Sequence, residues 1–328
     1  MSDPATSIVM CTYNGSRHVL QQMESFARQS LLPEELIVCD DVSKDDTVEI
    51  VREFASRAPF KVRIEVNNAN LGYSRNFAKA IDLASGELIL CSDQDDVWHS
   101  EKLRKFADKF RLDPRPGLIF CDANLVNQDL EPLGKTLWQS KRFGTQARRK
   151  VVGIAGASVV LKDPTSFAAG ATMGFASKYK PMVLPLPEGW THDAWIATVV
   201  ASIAPIGLID EPLNDYRQHT SQVFGGTSAG LGNMMQLAKG RAATEDHFLA
   251  TAGRYRQLEE QLRVSGVATH DPVLFKRIRG KIAHWERRSR MRKASKLARF
   301  FLIGREYLLG RYQAYSQGWK SMGMDVLY

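Results

Sequence analysis

The densest set of chemistry-bearing residues in the chain is Ser92-Asp93-Gln94-Asp95-Asp96. Carboxylates this close repel one another unless a cation neutralises them. Hard oxygen ligands suit Mg2+ or Mn2+, and Mg2+ typically takes one or two carboxylates together with water and substrate phosphates. The residue types therefore point to chemistry on a phosphate-bearing substrate. A solvated acidic loop, with Asp95 and Asp96 leading into the next helix, would use the same residues without a metal. Four other polar clusters stand out: Thr12-Tyr13-Asn14-Gly15, Asp40-Asp41, His192-Asp193 and Tyr216-Arg217-Gln218-His219.

Something must position these residues, and the pattern of apolar runs says what. Runs at 7–12, 36–41, 62–67, 87–92 and 117–122 are continuously hydrophobic and rich in β-branched residues, as expected of strands covered on both faces. Helical patterns separate them at 17–29, 46–56, 74–83 and 100–110, with Lys102 and Lys105 placed on the wet face of the last. This alternation predicts an α/β fold with a doubly wound, mostly parallel sheet. In such sheets ligands gather outside the carboxyl ends of the strands, where the Thr12, Asp40 and Asp93 clusters fall. No GxGxxG follows the first strand and no GxxxxGK[ST] occurs, so the usual dinucleotide and ATP loops are excluded.

Further along, 130–150 is polar and basic and reads as a connecting loop. A helix is predicted at 192–202, a short strand at 206–209 and a glycine-rich hinge at 225–232. Long helices are predicted at 234–265 and 271–317. The expected division is a catalytic domain, 1–225, and a basic helical region, 226–328.

Composition narrows the class. The 328 residues are 44% hydrophobic and 24% charged, which is ordinary for a globular chain. The start is too polar for a signal peptide, and no apolar run reaches membrane-spanning length. Cys11, Cys39, Cys91 and Cys121 each lie in an apolar run without CxxC spacing. They read as buried thiols rather than a zinc site, and a cytoplasmic location is the default expectation.

The ordered set TYNG (12–15), CDDVSKDDT (39–47), NLGYSRNF (70–77) and SDQDDVW (92–98) resembles family 2 glycosyltransferases of GT-A fold. GWTHD (189–193), IDEPL (209–213) and YRQH (216–219) are similar to the second half of rhamnosyltransferase-like members. The resemblance implies that Thr12, Tyr13, Asn14, Asp41, Arg75, Asp93 and Arg217 bind the nucleotide sugar. It also implies that Asp95, Asp96 and His219 ligate Mg2+ or Mn2+, with Asp95 and Asp96 unranked, and that Asp193 is the base of an inverting transfer. The donor would be a dTDP- or UDP-linked sugar, rhamnose among the candidates. The acceptor would be a glycan or lipid-linked glycan in cell-surface polysaccharide synthesis. One departure stands out: Val42 sits where related proteins usually carry Gly. A β-branched residue resists positive φ, so a different turn geometry is expected there.

Two other readings remain open. A nucleotidyltransferase also uses paired carboxylates and Mg2+, but has no need of Asp193 or the YRQH segment. A non-catalytic sugar-nucleotide or membrane-docking protein would have no need of intact Asp93, Asp95 and Asp193.

Charge is unevenly placed. The chain carries +8 overall, yet 276–311 alone holds 13 Lys and Arg against Glu286 and Glu306. Apolar residues including Ile278, Trp285, Phe300 and Phe301 interleave with them. A basic amphipathic segment of this kind suits peripheral association with an anionic membrane surface on the inner face of the cytoplasmic membrane. No recognition motif accompanies it, and a nucleic-acid partner is not expected.

Overall fold

A computed structural model of the chain describes residues 2–152, 169–218, 245–266 and 272–327. Contacts divide them into two compact units. The first holds 2–152, 169–186 and 190–218, and the second holds 187–189, 245–266 and 272–327.

The first unit is α/β. Strands β1 (Thr6–Thr12), β2 (Glu35–Asp40), β3 (Lys61–Val66) and β4 (Leu88–Ser92) pair in parallel, in the spatial order β3-β2-β1-β4. Helices α1 (Val19–Ala27), α2 (Thr47–Arg57), α3 (Tyr73–Leu83) and α4 (Lys102–Leu112) alternate with them. Ile8, Met10, Leu36, Val38, Leu88 and Leu90 project from one face into a core with Phe26 of α1, Phe54 of α2 and Phe106 of α4. Helix α3 lies against β1 and β2. Burial on both faces explains the unbroken apolar runs of β1, β2 and β4. The 62–67 run differs from that expectation. It forms the edge strand β3, where Lys61, Arg63 and Glu65 alternate with apolar residues and keep the open edge charged.

Beyond β4 the sheet becomes mixed. It adds β5 (Val97–Trp98), β6 (Leu118–Val126), β7 (Pro132–Thr136), β8 (Met173–Ala176) and β9 (Ile206–Arg217). β8 runs antiparallel between β4 and β6, β9 runs parallel to β6, and β5 and β7 pair antiparallel with β9 and β6.

The 130–150 segment is therefore not a plain loop. It holds β7, α5 (Leu137–Ser140) and α6 (Thr145–Val151). A capping box between Thr136 and Gln139 starts α5, a signal already present in the sequence. The strand expected at 206–209 continues to Arg217. Its register with β6 shifts between Ile209 and Pro212, and this irregularity accommodates a proline that cannot donate to the ladder. After α7 (Lys180–Val183), α8 (His192–Ile203) starts on Thr191 close to where the pattern placed it.

The second unit is helical: α9 (Glu245–Val264), α10 (Pro272–Lys293), α11 (Lys296–Leu308), α12 (Arg311–Tyr315) and α13 (Trp319–Leu327). The single helix expected over 271–317 is broken twice. Ser295 caps α11 by accepting from Ala298 N, and Gly310 adopts φ +64° after α11. The glycine-rich hinge at 225–232 and the start of the helix at 234–265 lie outside the described residues. Among the described residues, no helix is long and apolar enough to cross a membrane.

Candidate active site

The ends of β1 and β2 are tied to each other. Thr12 Oγ1 donates to Asp40 Oδ2 at 2.8 Å. Asp40 also accepts Ser43 N at 2.8 Å and Ser43 Oγ at 2.5 Å. Asn14 Oδ1 accepts Lys44 N at 2.9 Å, while Asn14 N donates to Ser43 Oγ at 2.9 Å. These contacts hold the 40–44 turn, and Val42 within it does adopt φ +67°. The expectation of an altered turn is thus not met: the left-handed geometry persists with a β-branched residue in it. Such a conformation costs of order 1–2 kcal/mol and persists because its neighbours fix it.

Asp41 is buried and already supplied with donors. Oδ1 accepts Leu71 N at 2.7 Å and Asn67 Nδ2 at 2.9 Å, and Oδ2 accepts Gly72 N at 2.9 Å. It fastens the turn before α3 to the end of β2. Gly72 serves that turn with φ +77°, which a side chain would strain. Asn76, buried on α3, donates to Cys39 O at 2.7 Å and accepts from Asn67. Of the 12–15 cluster, Tyr13 is the large side chain left open, 48% exposed, and is not core packing. Gln94 bonds both its backbone N and its carbonyl, linking the ends of β1 and β4.

The acidic cluster occupies the β4–β5 turn. Asp93 and Asp95 are partly exposed, while Asp96 is buried. Asp96 accepts Arg217 N at 3.0 Å and Asn214 Nδ2 at 3.5 Å. Burial, then the charges of Asp95 and Asp193, push the Asp93 carboxyl up to about 7, with Lys102 opposing. Burial and the charges of Asp95 and Asp93 push Asp96 well above the ordinary range. The site thus carries more negative charge than its surroundings neutralise.

Asp193 lies on the first turn of α8. Its Oδ1 accepts Ala194 N at 2.7 Å and the Thr191 hydroxyl, and Thr191 also caps the helix. The influence of its charge on Asp93 and Tyr216 places it with the acidic cluster, although 100 residues separate Asp93 from Asp193. Tyr73 feels it as well, and Ser74 Oγ donates to Trp190 O at 3.0 Å, joining α3 to the loop before Asp193. His192 faces away from this chemistry. It stacks on Phe77 at 3.7 Å, is buried, and has no hydrogen-bond partner at either ring nitrogen among the described residues; burial lowers its pKa. A Cβ at Gly170 would lie 2.4 Å from its Nε2, so the small residue makes room for the ring.

Arg217 is a correction. The side chain expected to meet a leaving diphosphate is buried among protein acceptors. Nε donates to Asp95 O at 2.6 Å, Nη2 to Gln21 Oε1 at 2.8 Å, and Nη1 to Gln128 O. It braces the acidic turn against α1 and the end of β6, because β9 runs on and carries it inside. Arg75 is exposed on the first turn of α3. His219 lies outside the described residues.

Lys102 is the site residue the sequence reading misplaced. It is not on a wet face but fully buried. Nζ donates to Ala171 O at 2.6 Å and sits 3.7 Å over the Trp98 ring. Burial lowers its pKa to about 8, against the charges of Cys121, Asp96, Asp93 and Cys91. The signal was available: Lys102 is one turn from Phe106 and shares the inward face with Leu103 and Ala107.

Among the described residues, no cluster of three or more His, Cys, Asp or Glu forms a ready ligand set. The uncompensated charge at Asp93 nevertheless fits a divalent cation held by one or two carboxylates, with the remaining positions filled by substrate oxygens and water. Of the two carboxylates the sequence left unranked, Asp95 is partly exposed and Asp96 is buried.

Residues 7–156 match the model of glycosyl transferase family 2. An uncharacterised glycosyltransferase of Nostoc is 25% identical over 73% of this chain and 72% of its own length. A dTDP-rhamnosyl transferase of Shigella flexneri, RfbG, is 34% identical over 37% of this chain and 40% of its own length. For several other curated relatives, too, the match spans less than two thirds of their length. Among solved structures, a mannosyltransferase of Pyrobaculum calidifontis in complex with GDP-Man and Mn2+ superposes with a TM-score of 0.52 and 16% identity. That superposition covers 100% of this chain and 86% of the other, and it shows a common fold.

Proposed function

We propose that this chain is a glycosyltransferase of family 2, the family whose model matches residues 7–156, and that it moves one sugar, with inversion, from a nucleoside-diphosphate donor to a glycan or lipid-linked acceptor. The observation that carries the reading is the convergence of Asp193 with the Asp93–Asp96 turn. A carboxylate held by a helix N-terminus stands beside an acidic turn that lacks compensating charge.

Asp193 accepts the proton of the acceptor hydroxyl. The hydroxyl oxygen forms the bond to the anomeric carbon as the bond from that carbon to the phosphate oxygen breaks. The electron pair leaves on the nucleoside diphosphate. Asp95, with Asp93 beside it, would hold Mg2+ or Mn2+, which supplies positive charge for that leaving group. Lys102 supports the turn from within, and Arg217 keeps it in place. Tyr13 offers a ring face to the base, Thr12, Asn14 and Asp41 shape the strand ends around the nucleotide, and exposed Arg75 is the cation placed to meet a phosphate.

The likeness to the Shigella enzyme supports a dTDP-linked donor and rhamnose as the first sugar to try. The basic helical unit supports work beside a membrane surface.

Asp193→Asn tests the reading. With sugar nucleotide and Mn2+, donor binding by calorimetry should stay within about threefold while transfer falls at least about a thousandfold. Retained transfer would remove Asp193 as the base. Lost donor binding would make it a binding residue instead.

A further inference from the structure

Helix α11 is apolar on two opposite faces. One face is explained: Ile303 is buried in a cluster with Met291 and Tyr312. Glu306 on the same side is buried too, and meets His284 Nδ1 at 2.8 Å, Arg311 at 2.6 Å and Arg287 at 3.2 Å. The opposite face has no such partners among the described residues. Leu297, Phe301 and Leu308 recur at spacings of four and seven and form one stripe, with Gly304 between them and Phe300 beside it. Leu297 is 87% exposed, Phe301 73% and Leu308 85%. Trp319, 62% exposed, meets Tyr307 at 4.9 Å between ring centroids and extends the apolar surface onto α13.

The charges around this stripe have one sign. Between Lys293 and Leu309 the only acidic residue is Glu306, which is buried. Lys293, Lys296, Arg305 and Lys320 are exposed. This placement also revises the sequence expectation. Within 276–311, α10 turns only part of its charge inward, burying Lys281 and Arg288 while Lys276, Arg277, Arg279 and Arg290 stay exposed. Arg288 pairs with Asp325 at 2.7 Å, Lys281 lies over Tyr255 at 4.2 Å, and Arg279 pairs with Glu259 at 2.5 Å. Within 276–311 the exposed large apolar residues lie on α11 and at its end, so the apolar stripe, rather than charge alone, marks the surface for a partner.

We propose that this outer face, with Trp319, docks the chain on an anionic phospholipid surface, with the Phe300, Phe301 and Leu308 side chains entering the headgroup boundary. An apolar stripe bordered by Lys and Arg and free of exposed acid matches lipid tails below and phosphate headgroups beside them. A second copy of the chain fits less well. A two-fold pairing would set Lys296 and Arg305 against the same charges, with no exposed acid on the face to offset them. The inference goes beyond the transfer reading, because such a face would localise the chain whatever the first unit catalyses.

The test is flotation of the purified full chain with two vesicle types, phosphatidylcholine alone and phosphatidylcholine with phosphatidylglycerol. No sugar nucleotide is needed, so failure of docking and failure of the transfer reading are seen separately. The chain should float with the anionic vesicles and weaken steeply between 50 and 300 mM salt. Phe300→Ser with Phe301→Ser should lower partitioning roughly a hundredfold, about tenfold for each ring. Lys296→Glu with Arg305→Glu should lower binding to the anionic vesicles alone. Both pairs are exposed, and circular dichroism should report an unchanged fold. Absence of binding by the intact chain, or binding that neither double variant weakens, would overturn the proposal. So would a dimer, seen by light scattering, that the phenylalanine variant dissolves while vesicle binding is absent.

Discussion

Asp93→Asn should make the metal-free protein more stable above neutral pH while removing donor and cation binding. In the folded chain the Asp93 carboxyl is pushed from 3.8 up to about 7, by burial first and then by Asp95 and Asp193. A folded-state value above the unfolded one means the folded chain holds a proton that the unfolded chain has lost. Stability therefore falls as pH rises from about 4 to 7, and the full penalty is present above 7. At about 1.4 kcal/mol per pH unit between the two values, the limit is roughly 4 kcal/mol. Asp93 is partly exposed, and solvent and relaxation should reduce this to about 2 kcal/mol. The asparagine keeps the shape and removes the charge. Urea unfolding with EDTA, followed by tryptophan fluorescence, should show the variant about 2 kcal/mol more stable at pH 8. The difference should shrink below about 1 kcal/mol at pH 4.5. Adding Mn2+ should stabilise the wild type and leave the variant unmoved. Equal stability of the two proteins at pH 8, or the same gain at both pH values, would refute the argument that Asp93 carries the uncompensated charge.

Two further outcomes follow from the same geometry. Lys102→Met removes the buried cation beside the cluster and leaves Ala171 O without its 2.6 Å donor. The lost donor should destabilise the first unit by about 2 kcal/mol at pH 9 and by less at pH 6, where burial of the charged ammonium costs the wild type stability that Met does not lose. Urea midpoints that match the wild type at both pH values would show that Lys102 does not balance the turn. Val42→Gly relieves a β-branched residue at φ +67° and should stabilise by about 1 kcal/mol after the greater chain entropy of glycine is counted. A loss of similar size in thermal melts would mean that the Val42 side chain packs better than its backbone strains.

Much of this site was legible in the chain because its parts are local. A continuous apolar run ending in Asp or Thr both makes a buried parallel strand and delivers the polar residue to its carboxyl end. That is why Thr12, Asp40, Asp41 and Asp93 fall together at one edge of the sheet. Thr191 before α8 made the position of Asp193 at a helix start readable as well. The sequence could not show which polar side chains remain open once strands pair. The linear reading put Lys102 on a wet face and turned Arg217 and Asp96 toward a ligand. They are buried because β9 extends beside β6 and α4 turns its inner face to the sheet. The same limit applied to the C-terminal helices. Composition placed thirteen cations between 276 and 311, and only packing showed which pair internally and which border the exposed stripe of α11.

The sequence by itself determined the alternation of strands and helices, the match of residues 7–156 to a family model and the acidic turn, since each is written in neighbouring residues. Tertiary structure alone brought the charge of Asp193 to bear on Asp93 across 100 residues, left Asp95 more exposed than Asp96, and buried the Arg217 side chain among protein acceptors. Those outcomes depend on desolvation and on the charges of residues distant in the chain, and neither exists until the sheet has closed around them.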